Sequence, residues 1–206
     1  MRSPNPRPYR MRRRAEQVDQ TRQRIVDATV ELHGSVGPAA TTIAAIADRA
    51  GVTRLTVYRH FPDQTALFSA CSAHWASRQQ LPDPAAWPQI GDPAVRLRAG
   101  LADLYRFYRA GAGMLTHIHR DLATLPEAHQ QAQRDGDTLI RDLLTAPFDG
   151  TGGERRRLRA AVGHAISFWT WRSLCLDQGL TDTEAAEAMT GMILAITPTP
   201  HGEPAR

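Results

Sequence analysis

Between Thr53 and His60 the chain reads Thr-Arg-Leu-Thr-Val-Tyr-Arg-His, and every residue there except Leu55 and Val57 carries a side-chain hydrogen-bond donor. An arginine fork matches the O6 and N7 acceptors of guanine or a pair of phosphate oxygens, and hydroxyl and imidazole groups suit phosphates. Placed on one short helix, running from about Arg54 to His60, the segment turns Val57 and Phe61 inward with Val52. Arg54, Leu55, Thr56, Tyr58, Arg59 and His60 are left for the other faces. Such a helix fits the DNA major groove. With Thr42 and Thr53, the residues that would cap the two adjoining helices, these six make the candidate nucleic-acid contact set. In it Arg54 is the base reader, and Tyr58 and His60 meet phosphates.

Other chemistry finds less footing. His117 and His119 are two residues apart, so a helix would not present them on one face, and His129 and His164 have no sequence tie to them. No metal ligand set is assigned. The sequence holds no nucleophile elbow and no zinc-protease motif, and the glycines of Phe148–Gly153 lack the order of a nucleotide-binding loop. Cys175 and His164 stand eleven residues apart, about 16 Å along a straight helix, too far for one to activate the other. No catalytic residue and no cofactor is therefore assigned. Two cysteines, Cys71 and Cys175, are too few for a disulfide scaffold and fit buried thiols of a cytoplasmic protein.

The elements that would position the contact set lie between Thr41 and Trp75. Thr41 or Thr42 can cap a helix with Ile43, Ile46, Ala47 and Ala50 on one face. Gly51 permits the left-handed turn that ends it, Val52 plugs the angle, and Thr53 caps the second helix. Asp63 is a plausible cap for a further helix carrying Leu67, Phe68, Cys71, His74 and Trp75. Before them, a helix from about Asp19 to His33 supplies Ile25, Ala28, Thr29 and Leu32 as support, and Gly37-Pro38 stops it from running on.

From Thr21 through Leu67 this arrangement resembles the DNA-binding domain of the TetR family of bacterial transcriptional regulators. Arg24, Ile25, Ala28, Leu32 and Gly37, then TTIAAIADRAGVTRLTVYRHF, carry the resemblance, which covers about a quarter of the chain. Two positions depart from the family pattern. His33 stands where an aromatic residue, usually Phe, closes the first helix's apolar stripe, and Gln64 stands where a lysine usually begins the fourth helix. The resemblance implies an all-α fold: an N-terminal three-helix DNA-binding bundle containing a helix-turn-helix, plus a larger helical domain for ligand binding and dimerisation.

The 206 residues allow two domains. All 25 basic residues other than histidine are arginine, and eight of them lie in the first 24 positions against Glu16 and Asp19. That local excess favours phosphate contact, although it would equally solubilise a free tail. We divide the chain into a flexible basic arm (1–18), the helix-turn-helix domain (19–64), a linking helix (65–80), a proline-rich connector (81–93), the larger domain (94–197) and a disordered tail (198–206). Trp87 in the connector reads as an anchor. In the larger domain the apolar spacing predicts helices from Ala94 to about Gly111, Met114 to Leu122, Pro126 to Leu144, Leu158 to Leu176 and Thr183 to Ile196. Arg155–Arg159 reads as a solvated face. No stretch is long and apolar enough for a membrane span, and the basic start has no apolar segment behind it to make a secretory signal.

As the resemblance implies, the chain would be a one-component regulator. A homodimer would bind palindromic operator DNA, most commonly as a repressor, and a small-molecule effector would release it. Tyr105, Tyr108, Met114, His117, Phe168, Trp169 and Arg172 are the candidate effector contacts, and Ile166, Trp169, Met189 and Ile193 the candidate dimer seam. The competing class is an enzyme or helical scaffold whose N-terminal domain only resembles the DNA reader.

Overall fold

The computed structural model describes residues 6–196, with side chains from Met11 onward. The described chain is helical without strands. Its α-helices are α1 (Pro6–Ser35), α2 (Ile43–Ala50), α3 (Arg54–His60), α4 (Gln64–Ala76), α5 (Pro93–Ala110), α6 (Ala112–Arg120), α7 (Glu127–Thr145), α8 (Gly152–Ala165), α9 (Phe168–Arg172) and α10 (Asp182–Ile196). They form two compact units, the first containing residues up to Arg78 together with Thr116–His129, the second Gln79–Leu115 and the chain from Gln130 onward.

In the first unit α1 packs on α2 and α4, and α2 on α3. Ile25, Val26, Ala28, Ile46, Ala47, Val57, Phe61, Leu67, Phe68 and Cys71 form its buried core. The first helix begins far earlier than Asp19. Residues 6–18, expected as a mobile arm, continue α1. Pro6 and Pro8 fall in the first turn, where a missing N–H costs nothing, and the residues beyond are mostly strong helix formers. Arg12 also bonds Glu16 one turn on at 3.1 Å. The first five residues of that arm, and the tail at 198–206, lie outside the described residues.

A second difference concerns Thr116–His129, which the helix spacing assigned to the larger domain. Here Leu125 is buried in the reader's core, with Ile118 and Leu122 packed against it. The Arg120 guanidinium donates to Val36 O at 2.9 Å, and Asp121 accepts from Ala39 N at 3.0 Å while pairing with Arg120 at 2.7 Å. This clasp grips the turn between α1 and α2. Gly37 sits there at φ +93°, and a Cβ on it would overlap both the Arg120 and the Asp121 side chains. Hydrogen bonding between sequence-distant groups leaves no periodic signal, so the boundary near residue 94 could not anticipate it.

In the second unit α10 packs on α5 and α8, and α9 on both α5 and α8. Leu97, Leu101, Leu104, Tyr105, Leu144, Val162, Phe168, Trp171, Ala185 and Ile193 are buried in it. Trp87 is buried too, as expected of an anchor. The helix predicted from Leu158 to Leu176 is broken. Ile166 caps α8, Ser167 turns extended and caps α9 by accepting from Trp169 N, and a π turn follows over Ser173–Asp177. The break exposes two carbonyls, and Tyr105 and Tyr108 each donate a hydroxyl to one of them, to Ala165 O and Ile166 O, both at 2.7 Å. Arg155 is not on a solvated face either, since it donates to Thr145 O and Phe148 O at 2.9 Å and ties down the loop before α8.

Candidate nucleic-acid interface

The candidate interface is assembled by three side-chain caps. Thr42 accepts from Ala45 N at 3.1 Å and starts α2, Thr53 accepts from Thr56 N at 3.2 Å and starts α3, and Asp63 accepts from Ala66 N at 2.7 Å and starts α4. Each cap removes an otherwise orphaned helix N–H, worth about 1 kcal/mol apiece. Between the first two, Gly51 takes φ +64°, the left-handed conformation a side chain resists. Val52 N then bonds back to Ala47 O at 2.9 Å, which fixes the angle of the turn.

Two side chains anchor α3: Val57, fully buried, and Phe61, 2% exposed. They fix which face of this short helix looks outward. On that face Leu55 is 77% and Tyr58 53% exposed, with Arg54 and Arg59 also exposed and Thr56 and His60 half-buried. A leucine exposed to that degree has no packing role in the chain. Thr53 and Thr56 differ from their neighbours, because their hydroxyls bond each other at 3.0 Å as well as forming the cap. They hold the start of α3 and have less to offer a ligand.

The arginines sort by partner. Arg49 pairs with Glu31, Arg109 with Asp182 at 2.8 Å, Arg120 with Asp121 and Arg172 with Asp177 at 3.1 Å. Arg22, Arg54 and Arg59 have no carboxylate partner among the described residues. The Arg22 guanidinium instead lies over the Phe61 ring, 4.7 Å from its centroid. His60 titrates below the ordinary imidazole range, from partial burial first and then from the positive charges of Arg59 and Arg22. This surface is thus a concentration of uncompensated positive charge, the electrostatic form an anionic partner requires.

The same unit holds a cavity of about 450 Å³ lined by Thr42, Arg54, Tyr58 and Gln64 and by His33, Leu67, Phe68 and Leu125. Sequence reasoning missed it. A clue was available at Gln64, which is neutral and shorter than the lysine expected there.

Among the described residues the proposed effector contacts lie in differing surroundings. Tyr105, Tyr108 and Phe168 are buried and packed with Trp171, the rings of Phe168 and Trp171 lying 5.5 Å apart, and both tyrosine hydroxyls are engaged by carbonyls. His117 belongs to the first unit, Met114 is half-buried in the second, and Arg172 is held by Asp177. Trp169 is 46% exposed. The aromatic stripe on α5 and α9 is core, and its centre is Trp171, fully buried with its indole N–H on Asp182 at 2.9 Å. Three of the four candidate seam residues are covered within the chain itself. Ile166, Met189 and Ile193 are 4%, 6% and 1% exposed within their own unit. Periodicity found the apolar face of α10 but could not say that α5 and α8 of the same chain cover it.

Comparison with known proteins bears on the first unit above all. Residues 25–71 match the model for bacterial regulatory proteins of the tetR family. Over 58 residues the chain is 40% identical to the HTH-type transcriptional regulator AcrR of Shigella flexneri, 28% of this chain and 27% of that one. Over 62 residues it is 40% identical to SrpR of Pseudomonas putida, 30% of this chain and 29% of the other. The matched stretch therefore spans less than a third of either regulator. Solved structures extend the likeness in fold. NalD of Pseudomonas aeruginosa, described as the secondary repressor of the MexAB-OprM multidrug efflux pump, superposes with TM-score 0.58 at 22% identity over 88% of this chain and 98% of its own. A TetR transcription regulator from Haloarcula marismortui gives 0.52 at 22% identity, over 87% and 96%. Residues 25–71 thus match the N-terminal domain of bacterial regulatory proteins of the tetR family, and most of the chain is similar in fold to solved TetR regulators.

Proposed function

We propose that the chain is a one-component transcriptional regulator that binds palindromic operator DNA as a homodimer, acts as a repressor, and is released by a small-molecule effector. The observation that carries this reading is the outward face of α3. Arg54 and Arg59 without carboxylate partners, Tyr58 and a largely exposed Leu55 stand on one short helix whose other side is fixed by Val57 and Phe61. Such a face supports base contact by Arg54 and backbone contact by Tyr58 and His60. Thr42, at the start of α2, is exposed and faces the same cavity as Arg54 and Tyr58, which supports its role at the backbone.

Dimerisation belongs to the second unit on this reading, because Trp169, Met192 and Ile196 are 46%, 61% and 43% exposed there. A second copy covering them would bring two reader helices to two half-sites. The protein would work in the cytoplasm, where its DNA is. The test is selection of duplexes from a randomised pool by the full chain, followed by competition between the recovered sequence and its single-base variants. Recovery of an inverted repeat supports the reading. Catalytic turnover by pure protein that enriches no sequence would replace it with an enzyme or scaffold. Compounds that dissociate the recovered duplex then define the effector.

A further inference from the structure

We propose that Arg22 of α1, together with Arg59 and His60 of α3, forms a DNA-phosphate subsite separate from the base-reading residues. The inference rests on the DNA-binding reading and adds to it a helix that the sequence had assigned to support alone. Three observations combine. First, Arg22 is preorganised: its guanidinium is laid on the Phe61 ring at 4.7 Å, and Phe61 is itself 2% exposed, so the cation rests on a fixed plate. No hydrogen bond from the Arg22 guanidinium is formed among the described residues, so its N–H donors remain available to a phosphate, which can accept them in bidentate fashion. Second, two guanidinium cations and an imidazole are held together without an acid among the described residues. Arg59 on His60's own helix and Arg22 on α1 are the charges that act on the imidazole, and no carboxylate among the described residues pairs with either arginine. Other arginines of the chain are set against acids, as at Glu31, Asp121, Asp177 and Asp182. Third, the cluster spans two helices packed in one unit, so it is a fixed distance from Arg54 on the same α3.

An anion in this subsite reverses the local field. Partial burial first, and then the charges of Arg59 and Arg22, disfavour the imidazolium in the free protein, and a phosphate between the arginines favours it. Binding DNA then takes up a proton, so affinity rises as pH falls through the range in which His60 titrates.

The test uses the full chain in two measurements. In the first, the His60 imidazole is titrated by NMR with and without inorganic phosphate. Phosphate should raise its pKa in the wild type and leave it unmoved in Arg22→Gln. In the second, affinity for the duplex recovered from the randomised pool is measured against salt. Arg22→Gln should lower the slope of log affinity against log salt by about 0.9. It should weaken the recovered duplex and its single-base variants by the same factor. Arg22→Lys keeps the charge and should restore most of the slope, which separates loss of a phosphate contact from loss of fold. Unchanged slope in Arg22→Gln, with a His60 that ignores phosphate, overturns the subsite while duplex binding still upholds the DNA reading. A His60 that responds to phosphate in a chain that binds no duplex upholds the subsite as an anion site and overturns the DNA reading.

Discussion

Acid should unfold the reader unit through His33. This imidazole stands where the family's usual aromatic would pack, 7% exposed, 5.4 Å from the Phe68 ring, with Nδ1 3.6 Å from the Cys71 sulfur. Burial lowers its pKa from 6.5 to about 4, with the Asp121 carboxylate pulling weakly the other way. The neighbouring thiol, pushed up to about 12 by its own burial, stays neutral and offers no counter-charge. The unfolded chain therefore binds this proton near pH 6.5 and the folded chain only near pH 4. Stability from the depressed histidine is complete above the unfolded value and is lost as pH falls through the window between the two. Linkage puts the loss at about 2 kcal/mol by about pH 5 and about 3 kcal/mol by about pH 4. Against the usual 5–15 kcal/mol of a domain this is a large fraction. His119, also lowered to about 4 by burial, loses stability in the same direction, so the wild-type slope alone does not identify His33. The assay is urea unfolding of wild type and His33→Phe across that pH range. The difference between the two should close, or reverse, by about 3 kcal/mol on going from neutral pH to about 4. Parallel pH curves for the two proteins would refute the assignment.

Three further outcomes follow from the same packing. Gly37→Ala should cost on the order of 2–4 kcal/mol, from a side chain at φ +93° and displacement of the Arg120–Asp121 clasp; Gly113→Ala, in open space on α6, should be neutral in the same denaturation assay. Arg54→Ala should relax preference at one operator position by about 1 to 3 kcal/mol in competition binding, leaving stability unchanged because the side chain is exposed. Met192→Asp should yield a folded monomer by sedimentation, whereas Ile193→Asp, one residue on and 1% exposed, should lose helical signal; a dimeric Met192→Asp would move the seam elsewhere.

The adjacency of Met192 and Ile193 shows what the sequence could and could not convey. The helix-turn-helix was legible because its signals are local: Thr42, Thr53 and Asp63 cap within three residues of their partners, and Gly51 turns on its own backbone. In the second unit the same local rules located helices but not their covers. Both α5 and α10 are apolar over a broad arc, and only three-dimensional packing decides that Ile193 is buried while Met192 stays 61% exposed. The break after Ala165 was hidden for a related reason. Its two freed carbonyls are satisfied by hydroxyls 58 and 60 residues away, and no local pattern encodes that compensation.

Charge is where sequence and structure together say more than either. A net charge of +4 in 206 residues is ordinary and would suit many soluble chains. Pairing converts that sum into a map. With no lysine present, arginine serves both as a strut between helices and as an anion donor, and composition cannot separate the two uses. In the second unit Arg106, Arg109, Arg159 and Arg172 each hold an aspartate. An arginine so held has its fork occupied, and a phosphate would have to displace a carboxylate to reach it. On α1 and α3 the arginines at 22, 54 and 59, like Arg98, Arg156 and Arg157 in the second unit, hold none among the described residues, although a surface carboxylate nearby would have cost the fold almost nothing. Their lack of a partner leaves mutual repulsion in the free protein, and that repulsion is what an arriving polyanion relieves. On the DNA-binding reading proposed above, part of the affinity is set before contact, by the arginines of α1 and α3 that the fold leaves without an acid.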